Sequence, residues 1–181
     1  LCQGNELSIT WTVMGLVNPG EFLLRSGAQV GDDIYISGYP GRAGYALDCL
    51  LQRRDVATRL AKHYSQPTPR LELGEAINGL AHSAIDVSDG LLADLQHLLT
   101  ASGVGARIDL AALSADAQVV AACGVADSVR FVLTAGDDYE VCFTAEPDQR
   151  KALELISRQL QLPLIRIGRV IVSQGVEFEN V

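Results

Sequence analysis

Two carboxylates lie close together in the segment Asp86-Val87-Ser88-Asp89-Gly90. Asp86 stands near the end of a short apolar run typical of a strand, and Asp89 lies just before a leucine-rich stretch with helical spacing. The first N–H groups of a helix are unpaired and partially positive, so this corner can hold an anion, and the two carboxylates can bind Mg²⁺ beside it. In the alternative interpretation, Ser88 or Asp89 is only the N-cap of the helix. The two interpretations are compatible, because a capping carboxylate keeps one oxygen for a ligand.

A second acidic segment, Gly136-Asp137-Asp138-Tyr139-Glu140, leads into another predicted strand. Three carboxylates within four residues repel each other unless a cation or a hydrogen-bond donor is near, and the alternative is that they are solvated loop acids. Glu140 belongs to the strand, so its side chain points to one face and could accept a hydrogen bond from an amine. Because both acidic segments adjoin a strand end and a glycine, we expect them to meet at one edge of the sheet.

Candidate phosphate-binding groups are fewer. Arg25, in the segment Leu24-Arg25-Ser26-Gly27-Ala28, could clamp a phosphate, although a lone arginine is more often a surface residue. The glycine-rich turn over residues 38–44 could also cradle phosphate, but it lacks the Lys-Ser/Thr end of a P-loop. The histidines match no catalytic triad or metal-ligand spacing, so we expect structural roles for them.

The composition indicates a folded domain with an acidic surface. Hydrophobic residues make up 48% of the 181 residues, charged residues make up 20%, and the formal net charge is −8. This charge disfavours nucleic acid as a partner but allows phosphate ligands that Mg²⁺ bridges to carboxylates. No apolar run approaches the roughly 18 residues of a membrane span, so we expect no membrane partner. The four cysteines form no C-x-x-C pair, and we expect free thiols and a reducing cytoplasm.

The remaining pattern predicts elements that could position these residues. Alternating and apolar runs predict strands over residues 7–13, 33–38, 83–87, 106–110, 140–144, 164–168 and 170–172. Helical periodicity and start signals predict helices over residues 44–62, 70–81 and 114–123, and from Leu91 and Pro147 onward. Hairpin-like connections predict a single α+β domain over residues 1–181, with a mixed β-sheet and helices packed on one face.

The order of the motifs resembles the C-terminal half of the thiamine-monophosphate kinase family, over nearly the whole chain from about residue 7 to residue 170. The two most specific segments are Ala84-Ile85-Asp86-Val87-Ser88-Asp89-Gly90-Leu91 and Gly136-Asp137-Asp138-Tyr139-Glu140. The others are residues 25–28, 31–32, 34–38, 67–70 and 167–168. The fold is similar to that of the aminoimidazole ribonucleotide synthetases, the selenophosphate synthetases and a hydrogenase maturation protein, which also use ATP.

The resemblance implies an enzyme that transfers the γ-phosphoryl group of ATP to thiamine monophosphate and forms thiamine diphosphate. It implies that Asp86 and Asp89 bind Mg²⁺, that Ser88 and Arg25 contact ATP, and that Glu140 contacts the thiamine moiety. It assigns no catalytic residue to this chain, because such a transfer needs positioning and charge neutralisation rather than a covalent protein group. It also implies that the complete protein is a homodimer.

Two positions depart from the pattern of the family. Leu1-Cys2-Gln3-Gly4 stands where the family has Gly-Asp-Thr-Thr, and Arg42 stands where the family has an aspartate. We expect the N-terminal metal- and ATP-binding domain to be absent from this chain, so that the chain alone is inactive. The alternatives are a diverged, non-catalytic binding or assembly domain of the same fold, and a sister ATP-dependent synthetase.

Overall fold

The computed structural model of this chain describes residues 9–17, 20 and 22–180. β-Branched and aromatic residues form the central strand β1, whose five residues are all buried. The strands are β1 Asp33–Ser37, β2 Ala81–Val87, β3 Gly105–Asp109, β4 Glu140–Ala145, β5 Leu164–Ile171 and β6 Gly175–Glu179. The helices are α1 Arg42–Leu51, α2 Thr58–Ser65, α3 Leu71–Ala76, α4 Leu91–Ser102, α5 Ala117–Thr134 and α6 Arg150–Leu160.

The six strands form one sheet in the order β2-β4-β1-β5-β3-β6. All neighbouring strands are antiparallel except β3 and β6, which are parallel. The prediction of an α+β domain with a mixed sheet is therefore confirmed. The sheet places β2 at one edge next to β4, and these two strands carry the acidic segments identified above.

Helices cover the sheet because alternate side chains of each strand point to opposite faces. Ile34 and Ile36 of β1 belong to the larger apolar cluster, which contains the buried leucines of α4. Tyr35 belongs to a smaller cluster with residues of α3 and α6, and its ring stacks on Phe143 at 5.2 Å between centroids. The predicted layer of helices therefore covers the face with the larger apolar cluster, and α3 and α6 form a smaller layer on the opposite face.

Several predicted boundaries are wrong. Of the strand predicted over residues 7–13, residues 9–13 lie among the described residues; they are exposed and form no strand, and residues 7 and 8 lie outside the described residues. The helix predicted over 44–62 is two helices, α1 and α2, separated by a turn in which Arg53 has φ of 54°. The two strands predicted over 164–172 are the single strand β5, and β6 was not predicted.

Helix α5 is longer than the helix predicted over residues 114–123. Its length and apolar composition would suffice for a membrane span, although the sequence had suggested no such run. The helix is interrupted at Gly124, where φ is 81° and ψ is 170°. A transmembrane helix needs roughly 20 consecutive residues, and the interruption divides α5 into segments over residues 117–123 and 125–134, each of which is much shorter.

Candidate functional site

The two acidic segments lie side by side at the end of strands β2 and β4. The backbone nitrogen of Asp137 donates to the carbonyl of Ser88 at 2.9 Å, and that of Tyr139 donates to the carbonyl of Val87 at 2.9 Å. Gly136 permits this approach, because a Cβ added there would lie 2.3 Å from the Ser88 carbonyl oxygen. The prediction that both segments meet at one edge of the sheet is confirmed.

The turn between β2 and α4 is closed by Asp94, not by Ser88 or Asp89. One carboxylate oxygen of Asp94, a buried residue of the first turn of α4, accepts hydrogen bonds from the backbone nitrogens of Ser88 and Asp89 at 3.0 Å each. The N-cap residue of α4 is Gly90, with φ of 114° and no side-chain capping bond. The N-cap interpretation of Ser88 and Asp89 is therefore wrong.

This arrangement leaves two acidic side chains exposed at the corner. Asp86 and Asp89 are both exposed, whereas Ser88 is half-buried. Within residues 9–17, 20 and 22–180, no group of three or more His, Cys, Asp or Glu side chains could hold a metal ion by itself. Mg²⁺ commonly binds through one or two carboxylates, with phosphate oxygens and water completing its shell. Two exposed carboxylates fit that pattern, so the metal assignment of Asp86 and Asp89 stays a prediction.

Glu140 lies at the start of β4 and is fully buried. Its Oε2 accepts hydrogen bonds from Ser37 Oγ at 2.5 Å and from Arg70 Nε at 2.7 Å, and its Oε1 accepts one from Arg70 Nη2 at 2.6 Å. Gly38 makes room for this carboxylate, since a Cβ added at Gly38 would lie 2.1 Å from Glu140 Oε1. The carboxylate that was predicted to contact the substrate is therefore bound by Arg70 in a bidentate ion pair.

A cavity of about 380 Å³ lies next to this ion pair. Its lining is mainly apolar and consists of Pro67, Pro69, Arg70, Leu71, Asp86, Tyr139 and Val141. A second cavity of about 400 Å³ shares Asp86 and Val141 with the first and is also lined by Arg25. The structure therefore brings Arg25 and Asp86 to one cavity, while Ser88 is among the lining residues of neither.

The glycine-rich turn before α1 does not form an open phosphate cradle. The buried carboxylate of Asp138 accepts hydrogen bonds from the backbone nitrogens of Gly41 at 2.5 Å and Ala43 at 3.0 Å. His63 Nε2 lies 3.2 Å from the same carboxylate, consistent with the structural role expected for this histidine. An internal carboxylate therefore occupies the N-terminus of α1, where an external anion would otherwise bind.

Residues 29–179 match the family model of the AIR synthase related protein, C-terminal domain. This match covers most of the chain. The chain belongs to this family. Among the solved structures, hydrogenase maturation protein HypE also has this fold, with a TM-score of 0.67 at 18% identity over 86% of this chain and 52% of that one.

Several relatives of this AIR synthase related domain are thiamine-monophosphate kinases. The enzyme from Salmonella typhimurium is 38% identical over 178 residues, which are 95% of this chain and 55% of that protein. The crystal structure of the enzyme from Stenotrophomonas maltophilia matches with a TM-score of 0.85 at 41% identity, over 90% of this chain and 54% of that one. AaThiL complexed with AMPPCP and TMP matches with a TM-score of 0.74 at 28% identity, over 86% and 50%. The chain spans about half the length of the curated relatives it matches.

Arg42, the departure at the glycine-rich turn, is paired inside this AIR synthase related domain. Its Nε donates to Asp116 at 2.8 Å, and Arg59 also contacts the carboxylate of Asp116 at 2.7 Å. Burial by itself raises the pKa of Asp116. Hydrogen bonds from Arg59 and the Gln118 backbone, together with the charge of Arg42, lower this pKa by more than burial raises it, so the pKa lies below its usual value. Arg42 therefore serves the fold and is not an unpaired cation at the site.

Three residues organise the site through pairings that were not predicted from the sequence. Asp94 closes the turn, Asp138 binds the start of α1, and Arg70 pairs with Glu140. Asp94 could have been found from its spacing, because an acid in the first turn of a helix can reach the N–H groups before it. Asp138 and Arg70 lie in segments identified in the sequence, but their partners are 97 and 70 positions away, so no local pattern indicated the pairings.

Proposed function

We propose that this chain is the C-terminal half of a kinase that transfers the γ-phosphoryl group of ATP to thiamine monophosphate and forms thiamine diphosphate. The observation that carries the proposal is the position of the exposed carboxylates Asp86 and Asp89 at a helix corner, with Asp86 also lining an apolar cavity. Several of its relatives are thiamine-monophosphate kinases, and AaThiL is complexed with AMPPCP and TMP. AMPPCP is an analogue of ATP that cannot transfer its terminal phosphoryl group.

The residues of this chain would position two polyphosphates rather than react with them. Asp86 and Asp89 are the proposed ligands of Mg²⁺, which when bound neutralises phosphate charge and favours in-line transfer. Arg25 and Ser88 are the proposed contacts to ATP, and Glu140 is the proposed contact to the thiamine moiety. Asp94 holds the backbone of the Asp89 turn, so that the exposed carboxylates are presented from a fixed corner.

The proposal extends to the setting of the complete protein. We infer small-molecule partners, ATP and thiamine monophosphate, in a cytoplasmic homodimer with neither a nucleic-acid nor a membrane partner. The net charge of −8 and the free cysteines Cys49, Cys123 and Cys142 support this setting.

The test is a coupled assay of ADP release by the complete protein with ATP and thiamine monophosphate, with and without Mg²⁺. We expect turnover of roughly 1–100 per second that requires Mg²⁺. The 181-residue chain alone, with the same substrates, is expected to show no turnover. A complete protein that binds ATP without turning over any acceptor would instead be the non-catalytic domain considered above. ADP release with another acceptor but not with thiamine monophosphate would indicate a sister synthetase.

A further inference from the structure

The Arg70 guanidinium lies between a buried carboxylate and a cavity. Two of its five N–H donors, on Nε and Nη2, are bound by Glu140 at 2.7 and 2.6 Å. The Glu140 side chain is fully buried, while the Arg70 side chain keeps 18% of its surface exposed. Among the residues that the structure describes, Arg70 lines the 380 Å³ cavity and Glu140 does not. A ligand in this cavity would therefore meet the guanidinium before it met the carboxylate.

The ion pair fixes the direction of the remaining donors. A guanidinium is planar, and a carboxylate that binds it through two parallel hydrogen bonds holds its orientation. Ser37 donates to the same carboxylate, which is fully buried beside Gly38, so Glu140 itself is held in place. Because the guanidinium plane is fixed, the direction of the three remaining N–H donors of Arg70 is fixed as well, and these donors can bind an acceptor outside the ion pair.

The other walls of the cavity indicate what such an acceptor belongs to. Pro67, Pro69, Leu71 and Val141 are apolar and suit a flat ring, and Tyr139 adds an aromatic side chain. A flat ring that also satisfies a guanidinium needs acceptor atoms at its edge, as the ring nitrogens of a pyrimidine provide. The cavity therefore fits a heteroaromatic ring with nitrogen acceptors rather than a plain hydrocarbon.

We propose that Arg70 determines specificity for the acceptor by donating a hydrogen bond to a ring nitrogen of its aminopyrimidine, and that Glu140 is the positioning residue that holds Arg70. This inference rests on the proposed function, because it assumes that thiamine monophosphate is the acceptor. In this inference Glu140 acts by holding Arg70 and does not itself contact the ring. The phosphate end of the acceptor then extends past Asp86, which lines the same cavity.

The first experiment compares Arg70→Lys with Arg150→Lys in the complete protein. Arg150 is a matched control, because it binds buried Asp33 through Nε and Nη2 at 2.6 and 2.9 Å and lines neither cavity of the site. We expect Arg70→Lys to raise the KM for thiamine monophosphate about tenfold or more and to leave the KM for ATP within about twofold. Arg150→Lys is expected to leave both KM values unchanged. An unchanged KM in Arg70→Lys, or an equal rise in both variants, would overturn the proposal.

The second experiment tests whether Glu140 acts through Arg70. In a double-mutant cycle, Glu140→Gln and Arg70→Lys combined should raise the KM for thiamine monophosphate no further than Arg70→Lys alone. Effects that multiply would show that Glu140 contacts the substrate independently, against the proposal.

The wild-type protein offers a third measurement that needs no variant. An analogue of thiamine monophosphate with C–H in place of the pyrimidine nitrogens should bind about tenfold more weakly or worse, and equal binding would contradict the assignment.

Failure of the proposed function is visible separately. If the wild-type protein releases no ADP with thiamine monophosphate, the kinase proposal fails, and Arg70 is then tested by calorimetric titration with thiamine. Binding to the wild type that is lost in Arg70→Lys and kept in Arg150→Lys would uphold the role of Arg70 in recognising the ring. No binding of thiamine to the wild type would overturn both proposals.

Discussion

The carboxylate of Asp94 accepts a hydrogen bond from the backbone nitrogen of Asp89 at 3.0 Å. Asp94 is buried, whereas Asp89 is exposed at the same turn. Two acids five positions apart therefore have different tasks, since one stabilises the turn and the other presents a carboxylate to the outside. Variants of the two residues should separate stability from activity.

Asp89→Asn in the complete protein should reduce kcat about 100-fold or more, because the side chain loses the charge that binds a metal ion. The free energy of unfolding should change by less than about 0.5 kcal/mol, since the side chain is exposed and forms no cap. Coupled ADP release and urea unfolding measure the two quantities. A clear loss of stability with unchanged activity per folded molecule would make Asp89 a structural residue.

Asp94→Ala is the counterpart and should mainly lower stability. The change removes the acceptor of two backbone N–H groups, which costs about 1–3 kcal/mol in the free energy of unfolding. Urea unfolding of the 181-residue chain measures this loss. Stability equal to that of the wild type would mean that water replaces the Asp94 carboxylate without cost.

Gly136→Ala should separate the two acidic segments. An added methyl group would lie 2.3 Å from the backbone oxygen of Ser88, and backbone atoms cannot move aside as a side chain can, so we expect a loss of about 1–3 kcal/mol. Gly74→Ala is the matched control, because nothing lies within 4 Å of an added Cβ in helix α3. Gly74→Ala should be neutral or stabilising by about 0.5–1 kcal/mol. Thermal unfolding of both variants measures the two changes in stability, and equal changes would contradict the close contact at Gly136.

The stability of the chain should fall in acid partly through Asp116. The pKa of Asp116 is lower in the folded chain than its usual value of 3.8, so the ionised carboxylate stabilises the fold above that pH. This contribution is lost as the pH falls through the lowered folded pKa. In urea unfolding, the stability difference between the wild type and Asp116→Asn should be constant above about pH 5 and shrink below about pH 4.

A surface ion pair provides the control for this pH dependence. Glu177 also has a lowered pKa, because Arg107 donates hydrogen bonds to it, but this pair is exposed at the edge of the sheet. Glu177→Gln should therefore change stability little at any pH. A difference between wild type and Asp116→Asn that stays constant down to pH 3 would contradict the assignment to Asp116.

The cysteines should differ in reactivity according to their burial. Burial, with a smaller effect of the charge of Asp94, raises the pKa of Cys142 to about 12, so almost no thiolate is present at neutral pH. Cys49 is also buried, whereas Cys123 is half-buried with a pKa raised by burial and by Asp127. With iodoacetamide near pH 8, peptide mass spectrometry should find Cys123 modified before Cys49, and Cys142 modified only on unfolding. Modification of Cys142 at the rate of Cys123 would contradict the buried position.

The sequence predicted the elements whose patterns are strong and local. Strand β2, helix α4 and strand β4 lie close to their predicted positions, because an apolar run, a leucine stripe and a β-branched run each bury one face. The meeting of the two acidic segments followed from their places at strand ends. The break between α1 and α2 gave no sequence signal, since Arg53 adopts positive φ without a glycine or proline.

Pairings between distant positions could not be predicted. Nothing in the sequence around Arg70 indicates that its partner is Glu140, because which side chains meet depends on the complete order of strands. The alternating residues 9–13 show the opposite error, because alternation predicts a strand only when a neighbouring strand supplies hydrogen bonds. In the part of the chain that the structure describes, these residues have no such neighbour.

The place of β1 in the sheet has a consequence for how the chain is synthesised. Among the strands that the structure describes, β1 is synthesised before the others, yet it lies between β4 and β5, and its Ser37 bonds Glu140 across 103 positions of sequence. While the ribosome completes the intervening residues, Ile34 and Ile36 have neither of the strands that later bury them. Contacts of such long range make folding slow and leave apolar surface exposed to aggregation. We therefore expect the nascent chain to depend on chaperones until β5 has left the ribosome.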